Sequence, residues 1–220
     1  TVEGGVILTN DDHLAELIRN EYDSLPEYAA ADTFKLILYA VALNLLMHPW
    51  LFWLPKSLPF LKLGETIYDT DFSMKKLTGY QAGIGRHWRS TLTRSKKIRA
   101  SHVGEWESIF TGSFTSSEEG KPYPLIRFPV MMNSHQAAIS AIRQSEDTGL
   151  GIAWSYPTAI HRIPQIIDQF RSLEYPNADF VSQRLITLPV HQYLSNRDVV
   201  SIANIFRTTG VAVESLEERE

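Results

Sequence analysis

Residues Arg184–Arg207, RLITLPVHQYLSNRDVVSIANIFR, carry a strand and a helix in immediate succession. Leu185, Ile186, Leu188 and Val190 make a short apolar run that predicts a strand. Ser195 and Asp198 stand at capping-box spacing, so a helix opens there and is expected to close at Gly210. Upstream the same alternation continues. PLIRFPVMM reads as a strand, SHQAAISAIRQSEDTG as a helix ending at Gly149, and LGIAWSYP as a second strand. A further helix is expected from about Ile163 to Leu173, then a break at Pro176-Asn177. Strands alternating with helices suggest a small α/β unit over residues 122–213.

The N-terminal half has a different texture. Gly4-Gly5 marks a tight turn, Val6 to Leu8 read as a short strand, and TNDD supplies cap side chains for a helix with Leu14, Leu17 and Ile18 on one stripe. A long helix is expected from near Leu77 to Trp106. It carries Tyr80, Ile84, Trp88 and Leu92 every four residues, with Arg86, Arg89, Arg94, Lys96, Lys97 and Arg99 between them. Such a basic stripe reads as a solvated or phosphate-facing surface. The polar, Gly/Ser-rich run Thr111–Lys121 reads as an exposed loop, and the charged tail ESLEERE as a fraying end.

Composition narrows the possibilities. The chain has 220 residues, 44% of them hydrophobic, enough to bury a core. A net charge of -4 with pI near 6.0 supplies no bulk basic field for nucleic acid, so no nucleic-acid partner is expected. The absence of cysteine removes disulfides, thiolate nucleophiles and Cys-ligated zinc. Residues Leu36–Leu54, LILYAVALNLLMHPWLFWL, carry no charge. Asn44 in mid-run and His48-Pro49 after it argue against a membrane span and for an apolar helical hairpin at 33–60. That hairpin is open to two readings, a core or subunit-interface element and a membrane-surface contact through 36–54.

Direct chemical signatures are sparse. The seven histidines form no H-x-x-x-H pair and join no carboxylates at ligand spacing, so no metal site is expected. No G-x-S-x-G elbow, Walker loop or full G-x-G-x-x-G is present; GIG at Gly83–Gly85 and GLG at Gly149–Gly151 read as packing and cap glycines. The segment SYPTAIHRIP does place Tyr156, His161 and Arg162 between prolines at the end of a strand. Prolines fix a loop in an extended path, and these side chains can then face a polar ligand. The plain alternative is a surface connection in which the Tyr packs and the His meets solvent.

The order of these pieces resembles the DegT/DnrJ/EryC1/StrS sugar aminotransferases, a branch of the fold-type I pyridoxal-phosphate enzymes. EGGVILTND resembles the stretch after that family's cofactor lysine. LTGYQAGIGRHW is similar to its "Q-A-A-i-G" helix, through Leu77, Gln81, Ala82, Ile84 and Gly85. RFPV with GIAWSYPTAIHRIP resembles its small-domain strand and "Y-P-x-x-l-H-x-x-P" loop, and the stretch ending in Arg207 its closing element.

The resemblance implies an α/β fold, the C-terminal part of a fold-type I aminotransferase. Residues 1–110 would be the remainder of the large cofactor-binding domain with a long linking helix, and 122–213 a small α+β domain. It implies transamination of a nucleotide-linked keto sugar in cell-surface polysaccharide or glycan biosynthesis. Pyridoxal 5'-phosphate would be the cofactor, with an amino donor such as glutamate, in a cytoplasmic homodimer. If 36–54 touches a membrane, the inner membrane surface joins that location.

Tyr156 and His161 inherit a substrate-binding role. Met74 replaces an Asn that reaches the neighbouring subunit's cofactor phosphate, and Lys76 stands at a family Arg position as a phosphate-side cation. The family lysine precedes the Gly-Gly pair, and Lys35, Lys56, Lys75 and Lys76 fall too late to be it. No catalytic residue is therefore assigned in this chain, and the chain as given is expected to be inactive. A non-catalytic sugar-nucleotide binding module and a pyridoxamine-dependent sugar dehydratase are the alternatives.

Overall fold

The computed structural model describes residues 4–46, 74–110, 122–170 and 173–209. The chain divides into two compact units, residues 1–90 and 91–220.

In the first unit, α1 (Asp12–Ser24) opens on Asp11, whose carboxylate accepts from the Leu14 amide at 3.0 Å. Helix α2 (Ala30–Leu46) buries Leu36 and leaves Phe34, Leu38 and Leu45 exposed. The rest of the 33–60 hairpin lies outside the described residues. No helix among the described residues is long and apolar enough to cross a membrane. Helix α3 (Gly79–Gly85) starts at a capping box in which Thr78 and Gln81 satisfy each other's amides.

Two expectations for this unit fail. Val6, Ile7 and Leu8 are 84%, 72% and 89% exposed and join no strand among the described residues. A three-residue apolar run gains order only from a ladder partner, and none is there. The expected long helix from Leu77 is broken at Arg86 and His87, after which α4 (Trp88–Ile109) begins. The Arg86 amide turns back to the Gly83 carbonyl at 3.2 Å, an i to i−3 closure. Gly79, Gly83 and Gly85 each weaken the helical register by about 1 kcal/mol relative to alanine, and the turn forms where they cluster.

The second unit holds an antiparallel sheet of β1 (Phe128–Met131), β2 (Ala153–Trp154) and β3 (Leu185–Leu188), in the order β1-β3-β2 among the described residues. Phe128 pairs with Leu188, Val130 with Ile186, and Ala153 with Thr187. The period of two puts Phe128, Val130, Ile186 and Leu188 on one face, where all are buried. Helix α5 (His135–Thr148) and helix α7 (Asn196–Thr208) pack against each other, and both contribute to this core. Thr187 on the opposite face accepts from Arg127 Nε at 2.7 Å and donates to the Ala153 carbonyl at 3.2 Å. The alternation seen in the sequence is therefore mixed α and β with antiparallel pairing.

Aromatic packing ties α4 to this sheet. Trp106, Phe128 and Phe206 have no exposed surface, and Phe110 meets Phe206 edge to face at 4.9 Å. The Trp106 Nε1–H donates to the Pro189 carbonyl at 3.0 Å, satisfying a buried donor. Gly149 adopts φ +71° after α5, and the Leu150 amide returns to the Ser145 carbonyl, so the helix ends as expected. The capping box of α7 is present as expected, Ser195 accepting from the Asp198 amide and Asp198 from the Ser195 amide. Gly210 and the 111–121 loop lie outside the described residues.

Among the described residues, 163–170 do not form the expected helix at 163–173. Two 3₁₀ turns, Ile160–Arg162 and Ile167–Phe170, flank Pro164, which lacks the amide a helix would use. The expected break at Pro176 is instead the start of α6 (Pro176–Ser182), where Pro occupies the first turn. We expect Phe206→Ala to destabilise the second unit by about 3–5 kcal/mol. Urea unfolding followed by tryptophan fluorescence checks this; an unchanged midpoint would show that the aromatic cluster does not hold the unit together.

Candidate functional site

The segment after β2 is positioned by one carboxylate. Asp179 sits in the first turn of α6, and its Oδ1 accepts from Arg162 Nε at 2.5 Å while Oδ2 accepts from Arg162 Nη2 at 2.7 Å. This two-point contact fixes the plane of the guanidinium as well as its place. The same Oδ1 lies 3.2 Å from His161 Nε2. The His161 ring lies against Tyr175 with centroids 5.1 Å apart, and Phe170 meets Tyr175 edge to face at 6.0 Å. The first 3₁₀ turn, the second 3₁₀ turn and the start of α6 are thus gathered around Asp179. They enclose a cleft of about 390 Å³.

The electrostatics follow from the contacts. The hydrogen bonds from Arg162, then its charge and that of His161, hold the Asp179 carboxyl at about 2, below the ordinary 3.8, against the opposing effect of desolvation. The hydrogen bond to Asp179, and then its charge, raise the Arg162 pKa in return. His161 has a side chain only 12% exposed. Its Nε2 is engaged by Asp179, which leaves Nδ1 as the atom that can meet a ligand. Tyr156 is 66% exposed, does not line this cleft, and its hydroxyl has no hydrogen-bond partner among the described residues. The loop therefore presents Tyr156 to solvent and tucks His161 inward.

Lys76 belongs to a separate cleft of about 360 Å³ in the first unit, beside Tyr22, Glu27, Tyr28 and Thr78. Its amide donates to the Pro26 carbonyl at 3.0 Å, which fixes the backbone. Its neighbour Lys75 is committed to Asp32 at 3.1 Å and lies over the Tyr28 ring at 4.8 Å. Lys76 makes no ion pair among the described residues. The sequence reading named Lys76, Tyr156 and His161; it missed Asp179 and Tyr175. An ion pair across 17 positions follows no helical or strand period, so no local pattern could have shown it. Among the described residues no group of three His, Asp or Glu is placed to hold a metal.

The model of the DegT/DnrJ/EryC1/StrS aminotransferase family matches residues 71–207, well over half of the chain and inclusive of Lys76, Tyr156, His161 and Asp179. The chain belongs to the DegT/DnrJ/EryC1/StrS aminotransferase family. Among solved structures it is similar to a Streptococcus pneumoniae protein described as a sugar aminotransferase in its PMP form. That likeness has 21% identity and a TM-score of 0.45, over 67% of this chain and 39% of that one. The chain thus spans about two fifths of the length of that structure. No curated protein matches the chain.

Membership of the DegT/DnrJ/EryC1/StrS aminotransferases implies pyridoxal phosphate as the cofactor. The Lys76 cleft has two groups that could face the phosphate edge of that cofactor, beside the Glu27 carboxylate, which would oppose it. The two are an ammonium with no paired carboxylate and the phenol of Tyr22, which accepts from the Leu77 amide at 3.3 Å. Thr78 is not available, because its hydroxyl is consumed by the capping box.

The Asp179 latch makes a pH prediction. A carboxyl held below its ordinary pKa stabilises the fold fully above about pH 4, and the contribution is lost as pH falls through the folded-state value. Carboxyl ¹³C titration by NMR is expected to place the Asp179 midpoint near 2. A midpoint at the ordinary carboxylate value, or no movement toward it in Arg162→Gln, would show that the latch does not form.

Proposed function

We propose that this chain forms the substrate side of a pyridoxal-phosphate-dependent transaminase acting on a nucleotide-linked keto sugar. The observation that carries the reading is the pinned Tyr156–Arg162 loop. The segment that resembles the family's substrate loop is the one that Asp179 ties to α6, with a phenol outward and an imidazole held by a carboxylate. Such a loop is pre-organised, so little ordering entropy is lost when a polar sugar binds.

Each residue then has a defined task. Tyr156 offers an O–H donor to a sugar hydroxyl. His161, with Nε2 engaged by Asp179, offers Nδ1 as an acceptor for another, and Tyr175 keeps the ring plane fixed. Lys76 supplies a point charge for a phosphate edge. Bound pyridoxal phosphate would supply the electron sink for moving the amino group from a donor such as glutamate. The Schiff-base lysine is not assigned to any residue of this chain, so the chain alone is proposed to be inactive, and the working enzyme to be a homodimer of the longer polypeptide.

The test uses the complete natural polypeptide that contains this chain. With ¹⁵N-glutamate, pyridoxal phosphate and a nucleotide-linked keto sugar, it should yield ¹⁵N-labelled amino sugar and 2-oxoglutarate in equal amounts. Tyr156→Phe should raise KM with kcat little changed, and Lys76→Gln should weaken cofactor retention on gel filtration by roughly tenfold. Absence of labelled sugar while the cofactor is bound would sink the substrate assignment. Label transfer by the 220-residue chain alone would sink the assignment of its inactivity.

A further inference from the structure

The basic stripe of α4 is not used by either site above. Arg94 lies four positions before Ile98, and Ser95 three and four before Ile98 and Arg99, so the four lie toward one side of α4. Opposite them runs the segment that leaves β3, from Val190 to Tyr193. Together they enclose a third cleft of about 370 Å³, wholly within the second unit, that shares no lining residue with the other two. Ile98 and Val190 contribute its apolar surface, Ser95 a hydroxyl, and the His191 and Tyr193 rings stand 6.1 Å apart on the far wall.

Its charge is one-sided. No aspartate or glutamate lines the cleft, and neither Arg94 nor Arg99 makes an ion pair among the described residues. The charged groups that bear on His191 are Arg127, His102 and Asp198. Asp198 is occupied with Ser195 at the cap of α7, and Arg127 donates to Thr187 and to the Gly151 carbonyl, with no carboxylate partner. Burial, and then the positive charge of Arg127 and His102, hold the His191 pKa below its ordinary value. His102 is paired with Glu105 at 3.4 Å, so the local positive potential rests on the two guanidiniums without counter-charge, beside Arg127, and a concave apolar wall concentrates it.

We propose that this cleft binds the phosphoryl group of a small soluble phosphorylated ligand, received by the guanidiniums of Arg94 and Arg99. Arginine presents paired N–H donors that match phosphate oxygens, which an ammonium does not. Lys96 and Lys97 lie on the same helix but do not line the cleft. They provide an internal control, being equal in charge and different in place.

The probe is inorganic pyrophosphate, titrated into the full chain at constant ionic strength and followed by calorimetry. We expect saturable one-to-one binding, weakened about tenfold by Arg94→Gln and by Arg99→Gln alike, and changed less than twofold by Lys96→Gln/Lys97→Gln. Because Arg94 is exposed, Arg94→Gln keeps the test valid even if Arg99→Gln disturbs folding. No saturable binding, or an equal loss in the Lys96/Lys97 variant, would overturn the proposal. So would sedimentation with phosphatidylglycerol vesicles that pyrophosphate fails to compete away, since that would place the phosphoryl group on a lipid surface.

Discussion

The second unit depends on one buried hydrogen bond, from the Trp106 indole to the Pro189 carbonyl. Proline at 189 ends β3 because it has no amide to continue the ladder, yet its carbonyl still needs a donor in a buried setting. Trp106 supplies that donor and fills the space beneath the sheet with the largest side chain available. The bond therefore joins α4 to the exit of β3, two segments 83 positions apart. Everything that follows β3, including the turn through His191 and the cap of α7, starts from that fixed point. A phenylalanine at 106 would keep the apolar contact but leave the Pro189 carbonyl buried without a partner, a cost of about 1–3 kcal/mol.

Asp179 plays the corresponding part for the loop after β2. That loop cannot be helical, because Pro157 and Pro164 remove amides at both ends, and its 3₁₀ turns make few backbone bonds of their own. A single carboxylate replaces them by engaging Arg162 at two points and His161 at a third. Because the acceptor belongs to α6, the loop is held by a separate element rather than by its own backbone. The price is specificity of geometry: an asparagine at 179 could accept one of these bonds but could not carry the charge that Arg162 opposes.

Much of this was legible in the sequence, and the exceptions have two causes. The strands β1 and β3, the helices α5 and α7, the capping box at Ser195 and Asp198 and the glycine stop at Gly149 are set by local chemistry, which sequence displays. The resemblance in the 77–88 and 151–164 segments likewise rested on local motifs, and the family match spans them. Some of what was missed depends on partners far along the chain, while the break at Arg86–His87 and the 3₁₀ turns around Pro164 come from local glycines and a proline set within a helical pattern. Val6 to Leu8 look like a strand until one asks what pairs with them. Pro176-Asn177 look like a break until α6 is seen to use the proline at its first turn. Asp179 looks like any surface acid until Arg162 is brought beside it by the fold.

The paired lysines at 75 and 76 show how adjacent residues of the same type acquire different chemistry. Lys75 is offset by Asp32 and shielded by the Tyr28 ring, so its charge is already spent within the fold. Lys76 has its backbone fixed by Pro26 but its ammonium uncommitted among the described residues, within a cleft that also holds Glu27. A phosphate there would meet one attraction and one repulsion, a weaker arrangement than a guanidinium fork would give. The Arg94–Arg99 cleft has the opposite balance, with two forks and no lining acid. Among the described residues, two clefts thus present positive charge without an ion-pair partner: a lysine where the family resemblance expects a cofactor phosphate, and a pair of arginines where that resemblance assigns nothing. The second arrangement is the stronger phosphate receptor on physical grounds alone.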